Sequence, residues 1–430
     1  MEGAEVALGI GYSTPKTYKL RDEQPEFLRT FTLPLPQVTA MLAKSARAPY
    51  ICARCLSKRR ARPYSTATST ETPPPPPSSG AAKLTNRRLI SLHGQDTPKF
   101  MQGIITNNVR PESTTGFYAA FLTAQGKVLH DSFIYPTLGS SWHKQQAEGG
   151  NPDDPGYLVE VDAEQADVLL KHLKRHKLRS KFKMRLVEEG ELNVWSLWKE
   201  GDRWTAHGQP QNVANEDGII SLTDGRAPGM GQRLVLPDAT GQALEGVEEA
   251  PLSAYTIRRY LRGVAEGQKE MPRDDCLPMN CNIDLMGGID FKKGCYVGQE
   301  LTIRTHHTGV VRRRILPVSL FDKGGAEPEK LEYDPSVSAT AVEDGTDIRK
   351  DDKRKRSTGK YLAGIGNIGL GMCRLEQMTD LTISGEPSPF KPEDRFLIAS
   401  PDGSELGLKA FVPDWVRGGI REPKIQRRVE

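Results

Sequence analysis

The chain has 430 residues, enough for two or three domains of ordinary size, each with its own core. Hydrophobic residues make up 37% and the mean hydropathy is −0.53, and no stretch approaches the roughly 18–20 apolar residues of a membrane span. The formal charge of +4 belongs to the amino terminus: residues 41–70 carry seven basic residues and no acid, residues 1–40 net −1 and residues 71–430 net −2. The nucleic-acid reading that a basic balance invites is thereby set aside.

From Met41 the segment MLAKSARAPYICARCLSKRRARPYSTATST is rich in Arg, Ser and Ala, with apolar residues scattered among the basic ones. This is the composition of a mitochondrial transit peptide, and a secretory signal would need an unbroken apolar run of about 7–15 residues. Residues 1–64 are read as a leader to the mitochondrial matrix, cut between Tyr64 and Ser65, with Arg62 three positions before the cut. Acids at Glu2, Glu5, Asp22, Glu23 and Glu26 make Met41 a better start than Met1. Cys52 and Cys55 fall inside this leader. Residues 65–82, with five consecutive prolines, are expected to be a disordered or polyproline spacer.

In the body, Leu89–Leu92 reads as a strand and Asp96 as the cap of a short helix through Phe100. Phe117–Leu122 and Val128–Tyr135 read as a hairpin around Gly126, and residues 139–156 as an exposed polar insertion. Tyr157–Val161 reads as a strand, and Asp162 caps a helix over Glu164–Lys177 whose Val168, Leu169 and Leu173 face a core. Strands follow at Phe182–Val187 and Leu192–Trp198, then a helix at Ser253–Gly263 and a turn-rich stretch over 264–288. Leu301–Thr305 and Val310–Val318 alternate like strands, which would put His306 and His307 on opposite faces, and the chain stays β-rich to Val412. The charge run at 343–360 reads as a solvated loop. Mixed strands and helices of this kind make an α+β body.

Four cysteines lie in the body, Cys276, Cys281, Cys295 and Cys373, which is sparse for a disulfide scaffold and suits a reducing compartment. The C-x4-C of Cys276 and Cys281 followed by Cys295 matches no stable cluster motif. Chemistry concentrates in Asp290-Phe-Lys-Lys293-Gly-Cys295-Tyr-Val-Gly298-Gln299-Glu300. Lysines beside a cysteine favour its thiolate, making Cys295 either a reactive thiol or metal ligand, or an inert turn residue. Arg304, Arg312, Arg313 and Arg314 are either anchors for carboxylates or a charged strand edge, with the edge favoured for the last three. Asp131 and Arg226 read equally well as site residues or as a structural pair.

Lys293–Glu300 resembles the K-G-C-Y-x-G-Q-E signature of the YgfZ-type, folate-binding proteins related to aminomethyltransferases, and Leu301–Val310 resembles their mitochondrial branch of iron–sulfur cluster assembly factors. Leu92-x-Gly94-x-Asp96, Phe100–Gly103, Thr106-Asn107, Gly126-Lys127-x-x-x-Asp131, Asp224-x-Arg226, Gly231-x-Arg233, Tyr255, Arg258 and Gly263–Gly267 agree with the family's pattern. The resemblance implies a ring of three subdomains with ferredoxin-like halves around a pocket for tetrahydrofolate. It implies a first α+β subdomain at 83–190, a second at 191–300 and a small C-terminal β-barrel at 301–430. It also implies maturation of [4Fe–4S] proteins, of the aconitase and lipoate synthase type, alongside A-type scaffold partners, with no resident metal. Cys295, Lys293 and Asp131 then take the chemical roles, with Asn280, Asn282, Arg226, Arg304, Gly298 and Gln299 around the folate. Two acids of the transferases are replaced, by His130 and near Asn280, which speaks against glycine-cleavage chemistry. The alternative is a folate-dependent methyl or aminomethyl transferase.

Overall fold

A computed structural model of the protein describes residues 72–420, apart from 147–150, 202–218, 238–243, 245, 338–341 and 355. The expected leader and its cleavage point lie outside the described residues. The chain runs β1 (Ser79–Lys83), β2 (Arg87–His93), α1 (Thr97–Gln102), β3 (Phe117–Leu122), β4 (Val128–Pro136), α2 (Ser141–Gln146), β5 (Gly156–Asp162), α3 (Ala166–Lys177), β6 (Lys183–Leu186), β7 (Leu192–Lys199), β8 (Ile220–Thr223) and β9 (Gln232–Pro237). It continues through α4 (Leu252–Arg262), α5 (Gln299–Thr308), β10 (Arg313–Asp322), β11 (Asp347–Lys350), β12 (Ser357–Ile365), β13 (Ile368–Arg374), α6 (Leu375–Met378), β14 (Phe396–Ala399), β15 (Glu405–Ala410) and α7 (Asp414–Gly419).

Three sheets result: a five-stranded one ordered β3-β4-β5-β2-β6, a four-stranded one ordered β1-β7-β9-β8, and a closed six-stranded barrel, β10-β13-β12-β11-β14-β15. Every residue of β4 is buried. The reason is that both faces of its sheet are covered, which permits a near-continuous apolar strand. Ile134, Val159 and Phe121 pack with Leu169 and Leu173 of α3, while Phe133, Tyr135 and Leu158 pack in a core with Trp198, Val235 and Tyr255 of the second sheet and α4. Gly263 ends α4 in the left-handed conformation, φ 70°, and its amide donates to the carbonyl of Tyr260. Leu316, Val318, Tyr361, Leu375 and Leu408 fill the barrel.

Several expectations change. The proline spacer is partly built into the fold: the carbonyl of Pro73 accepts from Tyr333 Oη at 2.5 Å, that of Pro77 from Trp198 Nε1 at 3.0 Å. Proline lacks an N–H but keeps its acceptor, so these carbonyls can be claimed by the body. β1 then pairs with β7, and the first strand belongs to the second sheet. Leu301–Thr305 is helical, inside α5, and His306 and His307 sit on that helix rather than on a strand. The charge run contains β11 and the start of β12, two paired barrel strands, not a loop. Val168 is 39% exposed, because Ala166, Leu169 and Leu173 form the inward stripe of α3. The 139–156 insertion buries Trp142 and His143 of α2. Asp96 does not cap α1 with its side chain; its Oδ2 accepts instead from the amide of Lys181 at 2.6 Å.

Candidate functional site

The motif loop is held from both sides. The Asp290 amide donates to the Thr106 carbonyl at 3.1 Å and the Val297 amide to that of Gly103 at 3.1 Å. Lys293 turns its ammonium away from solvent onto the carbonyls of Ile105 and Asn107, both at 2.7 Å. Burial lowers its pKa to about 8. The Thr106 hydroxyl donates to the Gly288 carbonyl, and the Asn107 amide to that of Gly287. The amino-terminal segment that shared the family pattern is therefore the dock on which the signature sits. Phe291 stacks on His306 of α5, ring centroids 3.5 Å apart.

Gln299 closes the turn, its Oε1 accepting from the Tyr296 amide at 3.2 Å. Gly298 caps α5 with φ +80°, and a Cβ there would strike the carbonyl of Thr123. Between the anchored Lys293 and the buried Tyr296, Cys295 stands exposed. Fixed neighbours on both sides make this a thiol presented outward from a constrained turn. Among the described residues no group of three or more His, Cys, Asp and Glu could hold a metal ion.

Asp131 and Arg226 lie elsewhere, in an ionic layer between the two sheets. Arg87 reaches Glu160 at 2.7 Å and Asp131 at 3.3 Å, and the Gly267 amide donates to Asp131 at 3.1 Å. Arg226 holds Asp224 at 2.7 Å and Glu266 at 2.8 Å. Arg233 bridges Glu160 and Glu266, both at 3.0 Å, and donates to Tyr255 Oη at 2.7 Å. All of these side chains are buried. Burial would raise Glu266, but Arg233 and Arg226 outweigh it and hold the carboxyl well below its ordinary range. Asp131 and Arg226 each have structural partners, although not one another. Arg87 and Glu160 are the members that sequence reasoning missed. Their one signal is a lone charge inside an otherwise apolar strand, as at Glu160 in Tyr157–Val161.

His130, on β4 beside Asp131, is buried with its Nε2 2.7 Å from Arg273 Nη1. Burial and then Arg273 push its pKa down to about 3, so the imidazole is neutral and accepts. Asn280 accepts from the Leu277 amide and donates to the Arg313 carbonyl at 2.8 Å. Asn282, at φ +59°, donates to the Ile315 carbonyl at 2.7 Å. Arg314 is a buried residue and not a strand-edge charge, since Asp284 holds both its Nη atoms at 2.9 Å and the Met279 carbonyl accepts from it. Arg304 is exposed on α5.

Of the candidate folate residues, Asn280, Asn282 and Arg226 spend polar atoms on partners inside the protein. No folate step follows from this arrangement. A cavity of about 560 Å³ lies against the barrel, lined by Lys269, Cys276, Arg313, Asp344, Lys360 and Arg374 among others; of the arginines read as possible carboxylate anchors, Arg313 is in that lining.

Residues 312–418 match the family model described as CAF17, C-terminal beta-barrel domain. Aminomethyltransferase T of the glycine cleavage system from Bartonella henselae shares the fold, with a TM-score of 0.55 over 81% of this chain and 88% of that one, at 12% identity. The mixed helix-and-sheet body and the closed barrel are therefore aminomethyltransferase-like. A curated protein of Aspergillus fumigatus, "Iron-sulfur cluster assembly factor IBA57 homolog, mitochondrial", is 46% identical over 86% of this chain and 90% of its own. Proteins of the same name from Pyricularia oryzae and Neurospora crassa are 45% and 42% identical, covering 88% and 87% of this chain and 96% and 89% of theirs. With an outward thiol on a docked signature loop, an aminomethyltransferase-like frame and relatives this close along nearly the whole length, the chain belongs to the IBA57 family of iron–sulfur cluster assembly factors.

Proposed function

We propose that this protein acts in the mitochondrial matrix in the maturation of [4Fe–4S] proteins, presenting Cys295 to a cluster carried by an A-type scaffold partner. The observation that carries this is the one exposed thiol among the described residues, on a loop pinned by Lys293 and Val297, in a chain whose relatives are named mitochondrial assembly factors. A cluster takes several thiolates, typically four, and Cys295 supplies one. The remaining ligands belong to the partner, and the cluster is cargo rather than a resident group.

The folate-dependent transferase reading would need a positioned acid at a folate nitrogen. His130 is a buried neutral base and Asn280 is committed to main-chain partners, so neither supplies one. Depletion of the protein, with aconitase activity, lipoylated protein and a [2Fe–2S] ferredoxin assayed side by side, tests the choice. Loss of the first two with a normal ferredoxin is expected, and Cys295→Ser should fail to restore them. Intact clusters with altered one-carbon flux would overturn the proposal.

A further inference from the structure

The cavity against the barrel has two features that the assembly role does not use. Its lining carries four cations, Lys269, Arg313, Lys360 and Arg374, against the acids Asp275 and Asp344. Lys269 pairs with Asp344 at 3.4 Å, while Arg313, Lys360 and Arg374 have no acidic partner among the described residues. Arg313 and Arg374 are direct cross-strand neighbours on β10 and β13, where like charges repel. An anion in the cavity relieves that repulsion.

The second feature is a thiol pair. Cys276 lines the cavity, and behind it the Sγ of the fully buried Cys281 lies 2.8 Å from the Cys276 Sγ. A disulfide is ~2.05 Å long, so closure needs a movement of about 0.8 Å. Both thiols are uncharged when protonated and so is their disulfide, so burial does not oppose oxidation.

We propose that this cavity is a thiol–disulfide exchange site for a small carboxylate-bearing disulfide of the glutathione type, which converts Cys276 and Cys281 into an intramolecular disulfide. Arg313, Lys360 and Arg374 hold the ligand's carboxylates. Cys276 as thiolate attacks one sulfur of the ligand; the ligand's S–S bond breaks, and the departing thiolate takes up the proton that Cys276 released. Cys281 then attacks the Cys276 sulfur of the mixed disulfide, and its proton goes to the second departing thiolate. Two protein thiols and one small disulfide become one protein disulfide and two small thiols, with two electrons passing to the ligand. Burial pushes the Cys281 thiol well up, which makes it the resolving member and leaves the first attack to Cys276. The turn between them carries Met279 and Asn280, which bind Arg314 and the Arg313 carbonyl, so the new bond tightens the seam between body and barrel.

The test uses the full chain, reduced and freed of small thiols, exposed to glutathione disulfide or to cystamine, a cationic disulfide. Alkylation and peptide mapping then locate the bonds. A Cys276–Cys281 bridge is expected, formed about tenfold faster with glutathione disulfide than with cystamine, and less so at high salt. Lys360→Gln with Arg374→Gln, both exposed and outside the core, should erase that preference and keep the bridge. Cys281→Ser should trap one glutathione on Cys276. Modification of Cys295 alone, with Cys276 and Cys281 left free, would overturn the proposal, and equal rates for the two disulfides would overturn its anionic site. A folyl polyglutamate has carboxylates too. If it protects Cys276 at concentrations where glutathione disulfide does not react, the cavity belongs to folate and the assignment falls.

Discussion

Arg233 and Cys295 both sit in motifs that stand out in the sequence, and the molecule uses them in opposite ways. Arg233 is sealed between two sheets, with every strong partner supplied by the chain itself: Glu160, Asp224, Glu266 and Tyr255. Cys295 is left in solvent with its neighbours tied down and its thiol unengaged by any metal-ligand group among the described residues. A conspicuous charge in this frame marks what holds the sheets together, whereas the conspicuous thiol is exposed and, in the proposed function, is what meets another molecule. Chemistry aimed outward needs a fixed platform, and the ionic layer helps to provide it.

The comparison breaks most visibly at Arg233. Arg233→Leu strands Glu160 and Glu266 without their shared cation, and removing one partner of a buried ion pair costs about 3–5 kcal/mol. Urea denaturation should find that loss; a cost under about 1 kcal/mol would mean that water reaches the layer. The acid response is the next largest effect. Burial and Arg273 keep folded His130 at about 3, while the unfolded chain protonates near 6.5. Stability from this group is full above that value and falls as pH drops toward 3, by up to ~1.4 kcal/mol per pH unit. Glu160 and Glu266, held down by Arg233 against burial, add a loss that begins below about 4.5. His130→Asn should reduce the slope of the stability curve between 6.5 and about 4.5, leaving the share of His172, which burial pushes down to about 4, and the steeper part beneath it.

Smaller effects separate platform from thiol. Lys293→Met leaves the Ile105 and Asn107 carbonyls without their donor and should cost about 1–3 kcal/mol, with looser protection of the loop in hydrogen exchange. Cys295→Ser should change stability by less than about 0.5 kcal/mol while abolishing complementation. In the wild type, iodoacetamide should modify Cys295 well before Cys373, whose buried thiol is pushed up to about 12. A Cys295→Ser protein that complements fully would return the loop to a structural role.

The elements most legible in the sequence were those whose periodicity is set by one buried face, such as α4, where Tyr255, Ile257 and Tyr260 all turn inward. The helix α5 was misread because Leu301, Ile303 and Thr305 alternate with polar residues like a strand. Its real determinants are the left-handed Gly298 before it and the Phe291–His306 stack beside it, and neither has a local signature. Arg314 looked like an edge residue because its partners, Met279, Asn282 and Asp284, lie some thirty positions upstream. The signature loop itself was legible, and so was the place of Cys295 on a turn. The ionic layer was visible only in pieces, since its charged members come from β2, β4, β5, β9 and the turns after β8 and α4, and pairing across sheets leaves no spacing rule to read.

Gly298 and Gly126 meet backbone to backbone: a Cβ on Gly126 would come within 2.9 Å of the Gly298 carbonyl, and one on Gly298 would collide with Thr123. The geometry of the signature is therefore not portable. A synthetic peptide spanning residues 293–300 would carry every letter of the motif but lack the hairpin turn that gives its glycine a place to press. Grafted onto another scaffold, the same eight residues would bring a cysteine without its orientation. Variation at the turn and at the signature must accordingly be matched, so that two short stretches far apart in the chain are inherited as one part.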